Sequence, residues 1–282
     1  MLSLNNLVEK AQVGDLAAVK QIIEEAQAKI NAALFEAAAN GHEPVVARLL
    51  EAGADKDKDR EDDDGFTPLC IAAEKGHEPV VTRLLSAGAD KDKAAQGGVT
   101  PLLIAALWGH DPVVTQLLEA GADKNKATQD GATPLLMAAQ NGHEPVVARL
   151  LEAGADKDKA MQNGATPLLM AAMNGHELVV ARLLEAGADK DKAWQDGATP
   201  LFMAAQEGYE PVVARLLGAG ADTNAGPGND TPLRVAQRNG HYPVVILLLR
   251  AQENTGGADV EAVAASAALQ VSARQTRFHL RF

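Results

Sequence analysis

The sequence predicts an all-α solenoid in which antiparallel helix pairs stack on one another and are joined by hairpin-like fingers. The first observation is a period: the triplet Thr-Pro-Leu returns at intervals of 33 residues, with one interval of 32, through most of the 282-residue chain. The second is composition, because hydrophobic residues reach 46% while aromatic residues stay at 3%. Small aliphatic side chains suit thin cores between neighbouring helices better than one deep core. The triplets begin at Thr67, Thr100, Thr133, Thr166, Thr199 and Thr231.

The copy that begins at Thr133 indicates why each repeat should contain two helices. Thr133 is a favourable N-cap, and Pro134 suits the first helical position because it has no N–H to leave unsatisfied. Gly142 ends this first helix, and Pro145 opens a second one. The apolar stripe of the second helix consists of Val146, Val147, Leu150 and Leu151. Neither helix is long enough to be stable alone, so each pair must pack on its neighbours.

The segments between the helix pairs carry a charged sequence, Gly-Ala-Asp-Lys-Asp-Lys, which has no helical apolar period and predicts an extended finger or hairpin. Histidines follow the corner glycines at His42, His77, His110, His143, His176 and His241, and Tyr209 takes that place in one repeat. Such side chains would lie one repeat apart, roughly 10 Å for packed helices, which is too far to share a metal ion. The predicted role is a hydrogen bond to the neighbouring loop.

These repeats resemble the ankyrin repeat, whose pattern has 33 residues and the motif Thr-Pro-Leu-His-x-Ala. The resemblance covers roughly residues 5 to 250 and gives about eight repeats, including degenerate terminal caps. The chain departs from the family at two positions. The histidine after Thr-Pro-Leu is replaced by Cys70, Leu103, Leu136, Leu169, Phe202 and Arg234, and the finger aspartate is replaced by Ala95, Thr128, Met161 and Trp194. Because both positions change together, we expect apolar packing to replace a polar contact at the finger base.

The resemblance also implies a domain organisation. Residues 1–250 should form the repeat array, with capping helices in residues 1–30 and repeats in residues 31–250. Residues 251–282 should add a C-terminal helix and a basic tail. The charged side chains of residues 1–30 would provide the polar outer face that a terminal cap needs.

The net charge of −12 argues against non-specific binding to nucleic acid phosphates or to an anionic membrane surface. It favours a protein partner that is basic or extended, bound by a monomer. The single cysteine, Cys70, allows no intramolecular disulfide framework, and the chain shows neither a Sec-type signal nor 18 consecutive apolar residues. We expect a cytoplasmic location, although these residues do not distinguish it from the nucleus or from delivery into a host cell.

The sequence contains no motif that indicates catalysis. It has no Gly-rich phosphate loop after a strand, no nucleophile elbow and no Cys/His set with zinc spacing, so we expect neither an enzyme nor a cofactor. The loop of residues 55–65 alternates aspartates, but the sixth and twelfth positions of a calcium loop would be Arg60 and Phe66 instead of Gly and Glu. We therefore expect a solvated acidic finger without a metal.

The resemblance implies a protein-interaction scaffold that binds its partner on the concave face made by finger tips and first helices. Carried onto this chain, the face includes Gln129, Asp130, Ala132, Gln140, Asn141, Gln162, Asn163, Ala165, Met173, Asn174, Gln195, Asp196, Ala198, Gln206 and Glu207. Trp108 should stand at the exposed end of a first helix where other repeats have asparagine, and tryptophan is often a binding hot spot.

Other functions remain compatible with the sequence. The protein could be a microbial effector that acts on host proteins, or the stack could serve only as a spacer. It could also be a substrate for Asn/Asp hydroxylation of its fingers. The candidate positions are Asn125 and Asn224, each eight residues after a leucine.

Overall fold

The computed structural model describes residues 8–10, 12, 15–60 and 64–254, and their regular secondary structure is helical. An isolated bridge between Arg60 and Phe66 closes one finger. The chain forms two compact bodies. The N-terminal body comprises Met1–Ala105 and His110–Asp123, and the C-terminal body comprises Ala106–Gly109 and Lys124–Phe282.

The N-terminal body contains a long first helix followed by shorter helix pairs. Its helices are α1 (Leu16–Ala39), α2 (Glu43–Glu51), α3 (Pro68–Glu74), α4 (Glu78–Ser86), the first five residues of α5 (Pro101–Trp108) and α6 (Asp111–Glu119). α1 packs on both α2 and α3, and α3 packs on α4. The second helices α2, α4 and α6 pack side by side. A short 3-10 turn, Gln96–Gly98, lies in the finger before α5.

The C-terminal body contains four consecutive helix pairs after the last turn of α5. They are α7 (Pro134–Gln140) with α8 (Glu144–Glu152), α9 (Pro167–Met173) with α10 (Glu177–Glu185), α11 (Pro200–Glu207) with α12 (Glu210–Gly218), and α13 (Pro232–Asn239) with α14 (Tyr242–Asn254). The first helices form one row and the second helices another, and the two helices of each pair contact each other. This arrangement is the predicted stack of antiparallel helix pairs.

The first helices begin where the sequence places them. In each Thr-Pro-Leu copy the threonine oxygen accepts a hydrogen bond from the backbone N–H three residues later, at 3.1 to 3.3 Å. In the copy at Thr133, Pro134 then occupies the first turn. The predicted stripe of the second helix is found for three of its four members, since Val146, Val147 and Leu150 are buried and Leu151 is half-buried. The core therefore lies between the two rows of helices.

Both predicted domain boundaries lie inside helices. The boundary between residues 30 and 31 falls within α1, which runs for 24 residues from its N-cap Asp15. The segment contains neither Gly nor Pro and is rich in Ala, Glu, Gln and Lys, so nothing interrupts a strongly helix-forming stretch. The boundary at residue 250 falls within α14, which ends at Asn254. The C-terminal helix and tail predicted beyond residue 254 lie outside the described residues.

Candidate partner-binding face

The corner histidines join neighbouring repeats. His143 Nε2 donates to the carbonyl oxygen of Leu107 at 3.0 Å, and His176 Nε2 donates to that of Gln140 at 3.0 Å. The same bond is made by His77, His110 and His241. The predicted hydrogen bond is therefore confirmed for these five histidines and stays a prediction for His42; its acceptor lies in the last turn of the preceding first helix instead of a loop. These histidines therefore link neighbouring repeats within each body.

The corner glycines are required by the same contact. Gly142 has a φ of 75°, and a Cβ at this position would stand 2.6 Å from Nδ1 of His176. A side chain would be strained by its backbone and blocked by the imidazole at once. In the repeat where Tyr209 replaces histidine, the phenol ring takes the imidazole's place, 2.8 Å from a Cβ on Gly175.

The Asp-Lys-Asp-Lys loops bond to one another along the stack. The backbone N–H of Asp156 donates to Oδ1 of Asn125 at 2.9 Å, and Lys159 Nζ donates to the Asn125 carbonyl at 2.7 Å. Asp156 Oδ1 accepts from the backbone N–H of Asp158 at 3.0 Å, and Asp158 Oδ1 accepts from that of Asp189 at 2.9 Å. The loop aspartates thus have structural partners, which accounts for their repetition without acid-base chemistry.

Each finger is a hairpin-like turn closed by backbone hydrogen bonds. In one finger the N–H of Met161 donates to the carbonyl of Ala165 and the N–H of Gly164 donates to that of Met161, both at 2.9 Å. The side chain of Asn163 accepts from the Ala165 N–H at 3.0 Å. In the next finger, Asp196 accepts from the Ala198 N–H at 2.9 Å. In both fingers the stabilising polar side chain therefore lies two residues after the position where the family has aspartate.

Contacts at the base of a finger are seen in one repeat of each body. In the N-terminal body the guanidinium carbon of the finger-base residue Arg60 lies 5.1 Å from the ring centroid of Phe35, at cation–π distance. In the C-terminal body a Cβ on Gly226 would stand 2.7 Å from Cδ2 of Phe202. The finger base thus holds a cation–π contact in one body and a glycine in the other, and the apolar packing expected at Ala95, Thr128, Met161 and Trp194 stays a prediction.

The predicted contact residues at the finger tips are exposed but also bonded to the fingers. The exposed side chains are Gln129, Asp130, Gln162, Asn163, Gln195 and Asp196. Nε2 of Gln162 donates to the Gln129 carbonyl at 2.8 Å, and Nε2 of Gln195 donates to the Gln162 carbonyl. Asp130 accepts from the Thr128 hydroxyl. The finger tips therefore present an ordered row of glutamine side chains, with one glutamine in each of these three fingers.

The predicted contact residues on the first helices divide by exposure. Gln140, Met173 and Gln206 are half-buried, whereas Asn141, Asn174 and Glu207 are exposed. Asn141 Nδ2 donates to the Met137 carbonyl and Asn174 Nδ2 to the Met170 carbonyl, both at 2.8 Å, so these asparagines complete the ends of their helices. The placement of Ala132, Ala165 and Ala198 on the face is wrong, since all three are buried. Their backbone groups close the fingers instead.

Trp108 differs from every residue above. It is the last residue of α5, at the position that Asn141 and Asn174 occupy in later repeats, and 56% of its surface is exposed. In the described part of the C-terminal body the other exposed large apolar side chain is Leu178, which is 67% exposed. The prediction missed Leu178, although a signal was present: the other repeats have proline at its position.

The ionisable side chains of the described residues include an ion pair between repeats and a buried thiol. Arg182 pairs with Glu144 of the preceding repeat at 2.7 Å on the outer helix faces, and this hydrogen bond raises the pKa of Arg182. Burial raises the pKa of the Cys70 thiol, which makes it a poor nucleophile.

Within residues 15–60 and 64–254, no group of three or more His, Cys, Asp or Glu could hold a metal ion. No helix in that same part is long and apolar enough to cross a membrane.

The two candidate hydroxylation sites differ in environment. Asn125 is half-buried, and its amide oxygen and its backbone carbonyl both accept hydrogen bonds from the next loop. Asn224 is exposed, and its backbone N–H donates to Asp222 Oδ1 at 2.8 Å. The two positions thus differ in exposure and in hydrogen bonding.

Stacked helix pairs with hydrogen-bonded fingers define a helical repeat protein. A family model described as ankyrin repeats in three copies matches residues 7–95, 34–128, 102–193 and 179–264. The chain belongs to the ankyrin repeat family, a non-enzymatic fold whose repeats generally mediate protein–protein interaction.

Comparison with known proteins supports the same fold. The crystal structure of the human ASB11 ankyrin repeat domain superposes with a TM-score of 0.68 at 27% sequence identity, over 76% of this chain and 96% of that chain. No curated protein matches the sequence.

Proposed function

We propose that this protein is a scaffold that binds a protein partner through the finger tips and first helices of its C-terminal body. We call this surface the finger face; it consists of Trp108, Gln129, Asp130, Gln140, Asn141, Gln162, Asn163, Met173, Asn174, Gln195, Asp196, Gln206 and Glu207. The observation that carries the proposal is the exposure of Trp108 at the end of a first helix. We propose no catalytic role for these residues.

The position of Trp108 supports a binding role because asparagine at this position stabilises the end of the helix and tryptophan does not. Asn141 and Asn174 use the same position to bond the last turn of their own helices. A tryptophan gives up that amide and leaves more than half of its surface in water, which a folding role does not explain. Burial of a large aromatic side chain by a partner would contribute roughly 2 kcal/mol or more to binding.

The rest of the finger face supports a basic or extended partner. Its charged members are Asp130, Asp196 and Glu207, all acidic. Complementary charge accelerates association and selects against other acidic proteins. The glutamine row is already ordered by the bonds of Gln162 and Gln195, so binding would immobilise few additional side chains.

Trp108→Asn tests the proposal without disturbing the fold, because asparagine is the residue that the chain itself uses at this position. Leu178→Pro is the matched control, since it also replaces an exposed apolar residue with the one found in other repeats. Partners would be captured with the wild-type chain, and their affinity for each variant measured by calorimetry. We expect Trp108→Asn to weaken binding at least about tenfold and Leu178→Pro to leave it unchanged. The reverse pattern would move the binding surface to the start of α10.

The finger hydroxylation hypothesis has one structural observation in its favour, the exposure of Asn224. We propose that, if the chain is a substrate, Asn224 is modified in preference to Asn125, whose amide oxygen already bonds to Asp156. Incubation with an asparaginyl hydroxylase followed by peptide mass spectrometry would show an added oxygen, about 16 Da, on the Asn224 peptide. Modification of Asn125 alone would contradict this ranking.

We also propose that the chain acts as a monomer in the cytoplasm. The network of contacts between successive repeats stabilises each body from within and needs no second chain. Light scattering at micromolar concentration would give the mass of one 29.4 kDa chain. A dimer mass would contradict the monomer.

A further inference from the structure

A cleft of about 420 Å³ lies in the N-terminal body between α1 and the finger that follows α2. It is lined by Ala28, Asn31, Ala32, Phe35, Lys58, Asp59 and Arg60. None of these residues belongs to the finger face. The cleft lies beside the first loop of the repeat array. In later repeats a loop lysine bonds to a carbonyl of the preceding loop, and the first loop has no such loop before it.

That rule concerns the second lysine of each Asp-Lys-Asp-Lys loop. Lys93 Nζ donates to the carbonyl of Asp57 at 2.6 Å, Lys159 Nζ to that of Asn125 at 2.7 Å, and Lys192 Nζ to that of Asp158 at 2.7 Å. In each case the acceptor is the third residue of the preceding loop. This lysine therefore binds extended polypeptide, which the protein supplies from its own chain.

Lys58 is the first lysine of this series, and the element before it is a helix instead of a loop. The helix replaces part of the missing loop: Asn31 Oδ1 accepts from the Asp55 N–H at 2.8 Å, as Asn125 does from Asp156. Backbone carbonyls within α1 are used by the helix itself. Lys58 Nζ lies 4.0 Å from Asp59, and 55% of its side chain is exposed. Lys58 thus lines the cleft, and no backbone carbonyl of the described residues accepts a hydrogen bond from it.

The walls of the cleft fit a peptide. Ala28, Ala32 and Phe35 share one face of α1 because they are spaced by four and three residues, and the small alanines leave room above the helix. Arg60 is held by the Phe35 ring and by an ion pair with Glu36. A backbone hydrogen bond lowers the pKa of the Asp59 carboxyl, and Lys93 at 3.5 Å lowers it further. The cation that faces the cleft without a carbonyl is Lys58.

We propose that this cleft binds an extended peptide segment of another protein in the way that later repeats bind the preceding loop. A backbone carbonyl or an aspartate of the ligand accepts from Lys58 Nζ, and small side chains of the ligand lie against Ala28 and Ala32. The site is separate from the finger face, so it gives the protein a second contact with a partner. Its failure would leave the Trp108 experiment unaffected.

The probe is the protein's own loop, an N-acetylated and C-amidated peptide Ala-Gly-Ala-Asp-Lys-Asp-Lys-Ala with the sequence of residues 153–160. It would be titrated into the full-length ¹⁵N-labelled chain to about 5 mM, the range for a short ligand with few contacts. We expect saturable shifts of the amide signals of Asn31, Phe35 and residues 58–60. Lys58→Ala should raise the Kd about tenfold, the effect of losing one charge-assisted hydrogen bond.

Lys91→Ala is the matched control, because its lysine belongs to the same kind of loop and packs against Gly121 outside the cleft. It should leave the Kd unchanged, and circular dichroism would show that both variants fold. The proposal is overturned by the absence of saturable shifts, by shifts confined to other residues, or by an equal Kd for the wild type and Lys58→Ala.

Discussion

His176 lies directly against Gly142 of the preceding repeat, with Nε2 bonded to the Gln140 carbonyl at 3.0 Å and Nδ1 2.6 Å from where a Cβ of residue 142 would stand. The glycine and the histidine of the corner motif are thus two sides of one contact between repeats. This relationship explains why both recur with the period, and it separates residues that build the stack from residues that are free to vary.

Gly142→Ala should therefore lower the free energy of unfolding by more than its backbone strain alone would. A positive φ costs a non-glycine residue roughly 1–2 kcal/mol, and displacement of the His176 ring should add about 1–3 kcal/mol. Gly240→Ala is the control, since Gly240 has a φ of 77° at the same corner but no described atom within 4 Å of its Cβ position. Urea denaturation would give the two free energies of unfolding. Equal losses would show that the imidazole contact contributes nothing.

Thr133→Ala should lower the free energy of unfolding by about 1–2 kcal/mol, because the buried hydroxyl is the N-cap of α7. Thr133→Ser keeps the oxygen that accepts from the Leu136 N–H and should recover most of the loss. Urea denaturation of the three proteins compares them directly. A serine variant as unstable as the alanine variant would assign the effect to methyl packing.

Lys159→Met should destabilise the protein by about 1 kcal/mol, since the Asn125 carbonyl loses its charged donor. Lys58→Met removes the equivalent lysine, to which no carbonyl of the described residues is bonded, and should leave the free energy of unfolding nearly unchanged. Thermal denaturation at matched ionic strength would measure both. Equal destabilisation would contradict the distinction between the two loops.

Cys70 should react slowly with a thiol reagent in the folded protein and rapidly in urea, because burial raises the pKa of its thiol. A raised folded pKa favours the protonated thiol. Its contribution to stability is therefore complete below the thiol's ordinary pKa of about 8.5 and is lost as the pH rises towards the folded pKa. Cys70→Ala should remove this part of the alkaline loss of stability. Rapid labelling of the native protein would contradict the buried thiol.

Much of the fold could be predicted because the signals that start and end its helices are local in the sequence. Thr133 and Pro134 act within a few residues of their own positions, and Gly142 ends its helix locally through its positive φ, so the helices could be placed from the sequence. The cap boundary near residue 31 could not, because the degenerate first repeat lacks those signals and a helix-forming segment continues through it. The corner bond of His143 was predictable as a role, while its acceptor depends on packing between repeats.

The candidate face was only partly predictable, for the same reason. Repeat alignment located Gln162, Asn163 and Trp108 in the fold. It did not show that Gln162 and Asn163 also bond to the fingers, because those bonds depend on how adjacent fingers lie. Lys58 resembles every other loop lysine in sequence, and only the presence of a helix in place of the preceding loop distinguishes it.

The most direct test of the central claim is photo-crosslinking of a captured partner from two positions on the C-terminal body. One chain would carry benzoylphenylalanine in place of Asn141 on the finger face, and the other in place of Ala214, which is exposed on the second helix α12. We expect a crosslink from position 141 that is lost when Trp108→Asn is added, and none from position 214. A crosslink from position 214 alone would contradict the account.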